Sequence, residues 1–281
     1  MDTPLQNLAV IGAGAMGSGI AALFALKGLD VVLVDPMEGA LDRARAVIER
    51  QLNVYAPGQV DAVMQRIRMA PGLDAAAACD LVIEAVPENL ELKRGLFAQL
   101  DTLCKPEAIF ATNTSGLSIN AIASAVTRRD RFVGTHFFTP ADVIPLVEVV
   151  RNDATSEDTV ARVMATLRLG GKRPVLVRQD IPGFIANRIQ HALAREAISL
   201  LEKGVASAED IDVAMKLGAN HPIGPLALGD MIGLDVVLAI MEVLQSETGD
   251  PKYRPHPLLR KMVRGGLLGV KSGKGFFTYD K

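Results

Sequence analysis

The sequence predicts an α/β protein, in which a Rossmann-type, doubly wound and mostly parallel sheet is followed by an all-helical C-terminal domain. In the first 180 residues, short apolar runs alternate with helical stretches. A glycine-rich turn follows the first of those runs, and after residue 181 strand-like runs vanish until the last few residues. Such alternation is typical of parallel sheets with helical crossovers, so we expect a domain boundary between residues 180 and 181.

Apolar runs predict seven strands in the first domain. Most of these runs are continuous rather than alternating in polarity, which is typical of strands that helices cover on both faces. The expected strands span residues 8–11, 31–35, 81–86, 108–112, 131–136, 146–150 and 174–177.

Amphipathic patterns predict the helices of the second domain. The first covers about residues 184–203 and stops at Gly204. The second begins at Ser207, whose side chain can cap the helix together with Asp210 three residues on. We expect this helix over residues 207–218, and further helices over 226–245 and 257–264.

Composition and charge exclude several classes of function. The 281-residue chain is 49% apolar and 22% charged, and its formal net charge is −2. It therefore lacks a basic footprint for nucleic acid or an anionic membrane. Residues 3–26 are uncharged but hold four glycines and follow no lysine or arginine, so we reject a signal peptide or membrane span. Cys79 and Cys104 lack metal-site spacing, so we expect no metal and a reduced, cytoplasmic protein.

The glycine-rich turn predicts a dinucleotide site, because G-x-G-x-x-G stands here between a strand and a helix. Its first glycine permits the tight turn, the second lets the pyrophosphate approach, and the third allows close packing of helix on sheet. The N-terminus of the helix offers free N–H groups to the phosphates. The cofactor-binding residues expected in this turn are Gly12, Ala13, Gly14, Ala15, Met16 and Gly17.

A carboxylate at the end of the second strand predicts which cofactor binds. Asp35 follows Gly17 by 18 residues, where this fold places the group that bonds the ribose 2′-hydroxyl. A 2′-phosphate would meet the negative charge of Asp35. We therefore expect NAD rather than NADP.

One of the four histidines stands at the end of a predicted strand. Oxidising an alcohol needs a group that accepts the hydroxyl proton as the hydride leaves carbon, and a histidine such as His136 is the usual choice. Glu148 is charged within an apolar run, and a carboxylate can orient such an imidazole. On spacing alone, a hydrogen-bonded core histidine remains the alternative. His221 and His256 each precede a proline in a loop-like segment, so we expect them to support the local structure. We expect His191 to lie at a surface or an interface.

Further motifs run through nearly the whole chain in one order. They are VIGAG at 10–14, DLVIEAVPEN at 80–89, ATNTS at 111–115, HFF at 136–138, PGF at 182–184, NR at 187–188, GVA at 204–206, DID at 210–212, HPIGPL at 221–226 and KSGKGF at 271–276. With these motifs the chain resembles the 3-hydroxyacyl-CoA dehydrogenase family, especially its short 3-hydroxybutyryl-CoA members.

The resemblance implies a role for each matching residue. His136 is the expected general base and Glu148 its orienting carboxylate, while Ser115 and Asn187 contact the substrate oxygen and the surroundings of the base. Glu88, Lys93 and Lys271 are expected at the cofactor or the domain interface, and Ser115 and Thr139 complete the cofactor-binding set. Apart from the resemblance, Glu88 and Lys93 could form an ordinary helix-start pair, and Lys271 could be a solvated loop charge.

The resemblance also implies the activity and the assembly. Residues 1–180 form the expected NAD-binding domain, and residues 181–281 the domain for substrate and dimerisation. The expected reaction is the reversible oxidation of an L-3-hydroxyacyl-CoA by NAD to the 3-oxoacyl-CoA, in a homodimeric enzyme of fatty-acid metabolism.

Two departures from the family leave other substrates open. Relatives place lysines and a serine for the CoA nucleotide on the helices after the second strand, whereas residues 51–59 hold no lysine. Arg50, Arg66 and Arg68 could substitute for them. In addition, Thr139 stands before Pro140 where relatives usually have asparagine, and residues 141–145 replace a more apolar, lysine-containing stretch. The alternatives are a dehydrogenase of a free 3-hydroxy or 3-keto acid, such as a sugar-acid or carnitine-type substrate, and a catalytically idle NAD-binding structural or regulatory protein.

Overall fold

The computed structural model describes residues 3–280. Contacts divide the chain into two compact units, with the division between Ile181 and Pro182. Within the described residues, no helix is long and apolar enough to cross a membrane.

The described strands of the first unit form one sheet of eight strands, in the order β3-β2-β1-β4-β5-β6-β7-β8. Among these strands, β7 runs antiparallel to β6 and the other neighbouring pairs are parallel. The strands are β1 (Asn7–Ile11), β2 (Asp30–Val34), β3 (Ile67–Ala70), β4 (Leu81–Glu84), β5 (Ile109–Thr112), β6 (Phe132–Phe137), β7 (Leu146–Arg151) and β8 (Arg173–Val177). The helices are α1 (Ala15–Leu26), α2 (Ala40–Tyr55), α3 (Val60–Gln65), α4 (Leu90–Leu103), α5 (Ile119–Ala123) and α6 (Glu157–Leu169).

The continuous apolar runs form the buried centre of this sheet, as predicted. Every residue of β4, β5 and β6 is buried, because helices pack on both faces of a doubly wound sheet. The seven predicted strands are present, and their ends shift by one or two residues. The sequence pattern does not predict β3, an edge strand whose Arg68 is exposed. Its one fully buried residue, Ile67, gives too weak an apolar pattern to indicate a strand.

The second unit is helical, as predicted. Its helices are α7 (Ala186–Glu202), α8 (Ala208–Gly218), α9 (Pro225–Ile232), α10 (Leu234–Thr248) and α11 (Pro257–Arg264). The predicted cap of α8 is confirmed, because the Ser207 hydroxyl accepts the N–H of Asp210 at 3.1 Å. The single helix predicted over 226–245 is wrong, because Gly233 with a φ of 102° separates α9 from α10. Such a left-handed backbone ends a helix, and glycine adopts it at little cost.

The prediction that His191 lies at a surface or an interface is wrong. Its side chain is 1% exposed, and its Nδ1 lies 2.8 Å from the carbonyl oxygen of Asn187 one turn earlier. Burial lowers the pKa of the His191 imidazole, because it disfavours the charged form. The signal was present in the sequence. His191 shares the buried face of α7 with Asn187, Ala194 and Ile198, at the spacing of one helix face.

Candidate functional site

The glycine turn between β1 and α1 has the geometry that its sequence predicts. Gly12 has a φ of +102°, and a Cβ there would lie 2.6 Å from the carbonyl oxygen of Ala85. A Cβ on Gly17 would lie 1.8 Å from the carbonyl oxygen of Gly12. At Gly14 a Cβ would meet no atom of the described residues within 4 Å. The first and third glycines therefore close the turn, and the second leaves space beside it.

Helix α1 begins at this open position without a side-chain cap. Its N-cap is Gly14 and its first turn carries no acidic residue, so N–H groups and the positive end of the helix dipole are available to an anion. A cavity of about 1190 Å³ lies beside it. The lining includes Gly12, Gly14, Met16, Asp35, Val86 and Leu96. The start of α1 thus presents N–H groups beside a cavity that is lined mostly by apolar residues.

Asp35 is fixed beside the same turn by two backbone bonds. Its Oδ2 accepts the N–H of Ala13 at 2.8 Å, and its Oδ1 accepts the N–H of Met37 at 2.9 Å. The carboxylate therefore stands within the cavity wall, one residue beyond β2. This is the position that the sequence predicts for the ribose contact.

The pairing of β6 with β7 brings His136 and Glu148 together. The two residues are direct partners in the antiparallel register, so their side chains project from the same face of the sheet. His136 Nδ1 lies 2.8 Å from Glu148 Oε2, and the two residues are 4% and 1% exposed. The ring of Phe138 lies 4.3 Å from the imidazole, measured between centroids. A buried carboxylate thus holds a buried histidine near the C-terminal end of β6.

A buried charge network links the ends of the neighbouring strands β4 and β5. Glu84, the last residue of β4, is fully buried and accepts bonds from Lys93 Nζ at 2.7 and 2.9 Å and from the Thr112 hydroxyl at 2.6 Å. Burial raises the pKa of the Glu84 carboxyl, and the charge of Lys93 opposes that shift. Glu84 and Thr112 are not among the site residues predicted from the sequence.

Glu88 continues this network towards Ser115. Its Oε2 lies 3.3 Å from Lys93 Nζ, and its Oε1 accepts the Thr114 hydroxyl at 2.5 Å and the N–H of Ser115 at 2.9 Å. The side chain of Lys93 is 0% exposed, whereas that of Glu88 is 42% exposed. Of these two predicted cofactor residues, Glu88 is the one whose side chain solvent can reach.

The other predicted site residues lie elsewhere. Thr139 is exposed in the loop between β6 and β7. Asn187 is buried in the first turn of α7 in the second unit, where its carbonyl oxygen contacts His191. Lys271 also belongs to the second unit, and its Nζ donates to Asp235 at 2.7 Å. Their roles toward cofactor and substrate stay predictions.

Comparisons with known proteins give the same family for both units. Residues 7–181 match the NAD-binding domain of 3-hydroxyacyl-CoA dehydrogenase, and residues 183–279 match its C-terminal domain. The chain belongs to the 3-hydroxyacyl-CoA dehydrogenase family. It is accordingly an NAD-dependent oxidoreductase that acts on a CH–OH group, and the predicted family, cofactor and fold class are confirmed.

Individual members of the family are similar over their full length. A probable 3-hydroxybutyryl-CoA dehydrogenase of Deinococcus radiodurans is 50% identical over 279 residues, which cover 98% of this chain and 100% of that protein. The 3-hydroxybutyryl-CoA dehydrogenase of Clostridioides difficile is 46% identical, with coverage of 98% and 100%. The crystal structure of (S)-3-hydroxybutyryl-CoA dehydrogenase from Ralstonia eutropha is 44% identical with a TM-score of 0.93, and covers 99% of this chain and 100% of that one.

The position of Asp35 predicts that this dehydrogenase prefers NAD to NADP. Asp35→Ser should reduce the preference for NAD over NADP. Serine removes the negative charge that the 2′-phosphate of NADP would meet, and it keeps a hydrogen-bonding group for the ribose. The measurement is kcat/KM with NADH and with NADPH for both proteins. Better use of NADPH than of NADH by the wild type would show that Asp35 does not face the ribose.

Two of the arginines proposed to replace the family's lysines are engaged elsewhere. Arg66 NH1 lies 3.2 Å from Asp30, the first residue of β2. The glycine turn lies at the opposite ends of these parallel strands. Arg68 donates to the carbonyl oxygen of Ala75 at 2.8 Å. Arg50 is exposed on α2.

Within residues 3–280, no group of three or more His, Cys, Asp or Glu side chains could hold a metal ion.

Proposed function

We propose that this dehydrogenase oxidises an L-3-hydroxyacyl-CoA resembling 3-hydroxybutyryl-CoA to the 3-oxoacyl-CoA, reversibly, with His136 and Glu148 as its acid–base dyad. The observation that carries the proposal is the buried bond of 2.8 Å between these two side chains. It lies at the carboxyl end of β6, where open α/β sheets bind their ligands. The names of the relatives from Deinococcus and Clostridioides support the choice of substrate.

The dyad assigns the proton transfer to one ring nitrogen. Glu148 engages Nδ1, so Nε2 takes the proton of the 3-hydroxyl group, and the imidazolium that forms is stabilised by the carboxylate. Bound NAD supplies the acceptor for the hydride that leaves C3. The hydride thus leaves C3 for NAD, the hydroxyl proton leaves for Nε2 of His136, and the C3–O bond becomes a carbonyl. In the reverse direction, the imidazolium returns its proton to the alkoxide oxygen. Ser115 adds a hydroxyl that donates to this oxygen.

The substrate class is tested by comparing two thioesters. We expect kcat/KM for reduction of acetoacetyl-CoA to exceed that for an acetoacetyl thioester without the nucleotide by roughly tenfold or more, because binding energy from remote groups assists the reaction. Free acetoacetate should be a poorer substrate than either. Equal values for the two thioesters would mean that the nucleotide contributes nothing, and more efficient use of free 3-keto acids would replace the CoA proposal with the free-acid alternative.

Replacing Arg50 tests whether this residue binds the CoA nucleotide, and replacing Arg66 provides the matched control. A phosphate contact by a charged side chain contributes roughly 1.5–3 kcal/mol. Arg50→Ala should therefore raise KM for acetoacetyl-CoA and leave KM for the truncated thioester unchanged. Arg66→Ala should change neither, since Arg66 pairs with Asp30. An equal effect of Arg50→Ala on both thioesters would remove this residue from nucleotide binding.

We further propose a homodimer, formed through the helical domain. Large apolar side chains are exposed on that unit, including Leu217 at 82% and Ile189 at 67%, and burial of such side chains would favour association of two chains. Light scattering should give twice 29.9 kDa, whereas the mass of one chain would contradict the proposal. We also propose a role in cytoplasmic fatty-acid metabolism. The free thiols of Cys79 and Cys104 agree with a reducing compartment, and cell fractionation tests the location.

A further inference from the structure

Glu84 is a buried carboxylate that accepts four hydrogen bonds. Its Oε1 accepts the N–H of Val86 at 2.7 Å and Lys93 Nζ at 2.7 Å, and its Oε2 accepts Lys93 Nζ at 2.9 Å and the Thr112 hydroxyl at 2.6 Å. Donors on both oxygens stabilise the ionised form of the carboxyl and oppose the rise in its pKa that burial causes. A carboxylate that is 0% exposed would cost much free energy without Lys93 beside it.

Lys93 carries its charge between two carboxylates. Its Nζ lies 2.7 Å from Glu84 and 3.3 Å from Glu88, and no part of its side chain is exposed. The ammonium donates two hydrogen bonds to the oxygens of Glu84 and forms an ion pair with Glu88. The shorter distance to Glu84 limits how far the ammonium can draw Glu88 away from its other partners.

Those other partners belong to the turn that carries Ser115. Glu88 Oε1 accepts the N–H of Ser115 and the hydroxyl of Thr114. The Thr114 hydroxyl oxygen in turn accepts the N–H of Leu117 at 2.9 Å and of Gly116 at 3.3 Å. One carboxylate oxygen therefore fixes the backbone of the whole turn from Thr114 to Leu117.

We propose that Glu84 is a positioning residue of this enzyme, which acts through Lys93 and Glu88 to hold the Ser115 turn. Glu84 and Lys93, both fully buried, set the position of Glu88, and Glu88 sets the backbone from which the Ser115 hydroxyl projects. The inference rests on the proposed function only in that Ser115 contacts the substrate.

Asp101 offers a matched control, because it forms a second ion pair at the other end of the same helix. Its Oδ1 accepts Arg128 Nε at 2.7 Å, and the two side chains are 9% and 13% exposed. Asp101 lies in the last turn of α4, whereas Lys93 lies near its start. A general loss of stability should follow from Glu84→Gln and Asp101→Asn alike, but only the first should reach Ser115.

The first test follows the Ser115 amide directly. In Glu84→Gln, Lys93 keeps only Glu88 as a charged partner and draws it away from the Ser115 N–H. Hydrogen exchange at this amide should therefore accelerate roughly tenfold or more, and Asp101→Asn should leave it unchanged. If Glu84→Gln fails to fold, the double variant Glu84→Gln, Lys93→Met removes both buried charges. Glu88 then loses the ammonium that holds it in position, so exchange at the Ser115 amide should again accelerate. Unchanged exchange in the folded variant would overturn the proposal.

The second test is a double-mutant cycle on turnover. Glu84→Gln should lower kcat by roughly 10²-fold, with a far smaller change in KM. In a Ser115→Ala background it should lower kcat only a few-fold, because the hydroxyl that it positions is gone. Equal losses in both backgrounds, or the same loss in Asp101→Asn, would overturn the proposal. A Ser115→Ala variant with wild-type kcat would instead contradict the role of Ser115 in the proposed function, and the exchange result would still test the positioning.

Discussion

Replacing His136 with glutamine is expected to lower kcat by roughly 10²- to 10⁴-fold, while the Kd for NADH stays nearly unchanged. Glutamine keeps a polar side chain at a buried position but cannot accept the hydroxyl proton at neutral pH. The glycine turn follows β1 and Asp35 follows β2, and β4 and β5 separate these strands from β6, so NADH binding should persist. Steady-state kinetics with a CoA thioester and fluorescence titration of NADH measure the two quantities.

Glu148→Gln separates the two members of the dyad. The amide can still accept a bond from Nδ1, but it provides no negative charge for the imidazolium, so kcat should also fall. Combining both substitutions should cost little more than His136→Gln alone, because the carboxylate acts through the imidazole. If His136→Gln turns over within a few-fold of the wild type, His136 is not the base.

Replacing Gly17 with alanine is expected to weaken NADH binding by roughly ten- to a hundredfold for each hydrogen bond to a phosphate that is broken. The added Cβ would lie 1.8 Å from the carbonyl oxygen of Gly12. Both groups belong to the backbone, so α1 must move away from the turn, and its N–H groups move with it. Overpacking of this kind costs about 1–3 kcal/mol of folding free energy, and sometimes more. Urea unfolding and NADH titration measure the two effects.

Gly14→Ala is the informative contrast to Gly17→Ala. A Cβ there meets no described atom within 4 Å, and Gly14 has a φ of −70°, so the fold should keep its stability. The methyl group would nevertheless occupy the space through which the pyrophosphate approaches. We expect weaker NADH binding without loss of stability. Unchanged NADH affinity would show that the phosphates bind elsewhere.

The elements that the sequence predicted well are those whose chemistry is local. The glycine turn needs only Gly12, Gly14 and Gly17 in order, and the central strands need only apolar runs between helices. The His136–Glu148 contact is not local, yet the sequence favoured it because a charge inside an apolar strand requires a partner. The register of β6 with β7, which only the structure shows, supplies that contact.

The elements that were missed depend on context beyond the local pattern. Strand β3 is held by its pairing with β2, although Arg68 breaks its apolar pattern. The break at Gly233 depends on a φ of 102° that a helical pattern does not show. Glu84 was within reach, because Leu81-Val82-Ile83-Glu84 places a charge at the end of an apolar run, as Glu148 lies within one. A charge at that place also requires a partner, so the sequence indicates Glu84 as it indicates Glu148.

The β6–β7 ladder makes the alignment of the dyad independent of the loop that joins the two strands. His136 and Glu148 are matched by backbone pairing, so residues 139–145 can change in length or sequence without altering which side chains meet. A deletion of one residue inside β7 is different, because side chains alternate between the faces of a sheet and Glu148 would then point to the opposite face. The loop can therefore diversify while the contact between His136 and Glu148 is kept, whereas a shift of one residue within β7 removes that contact.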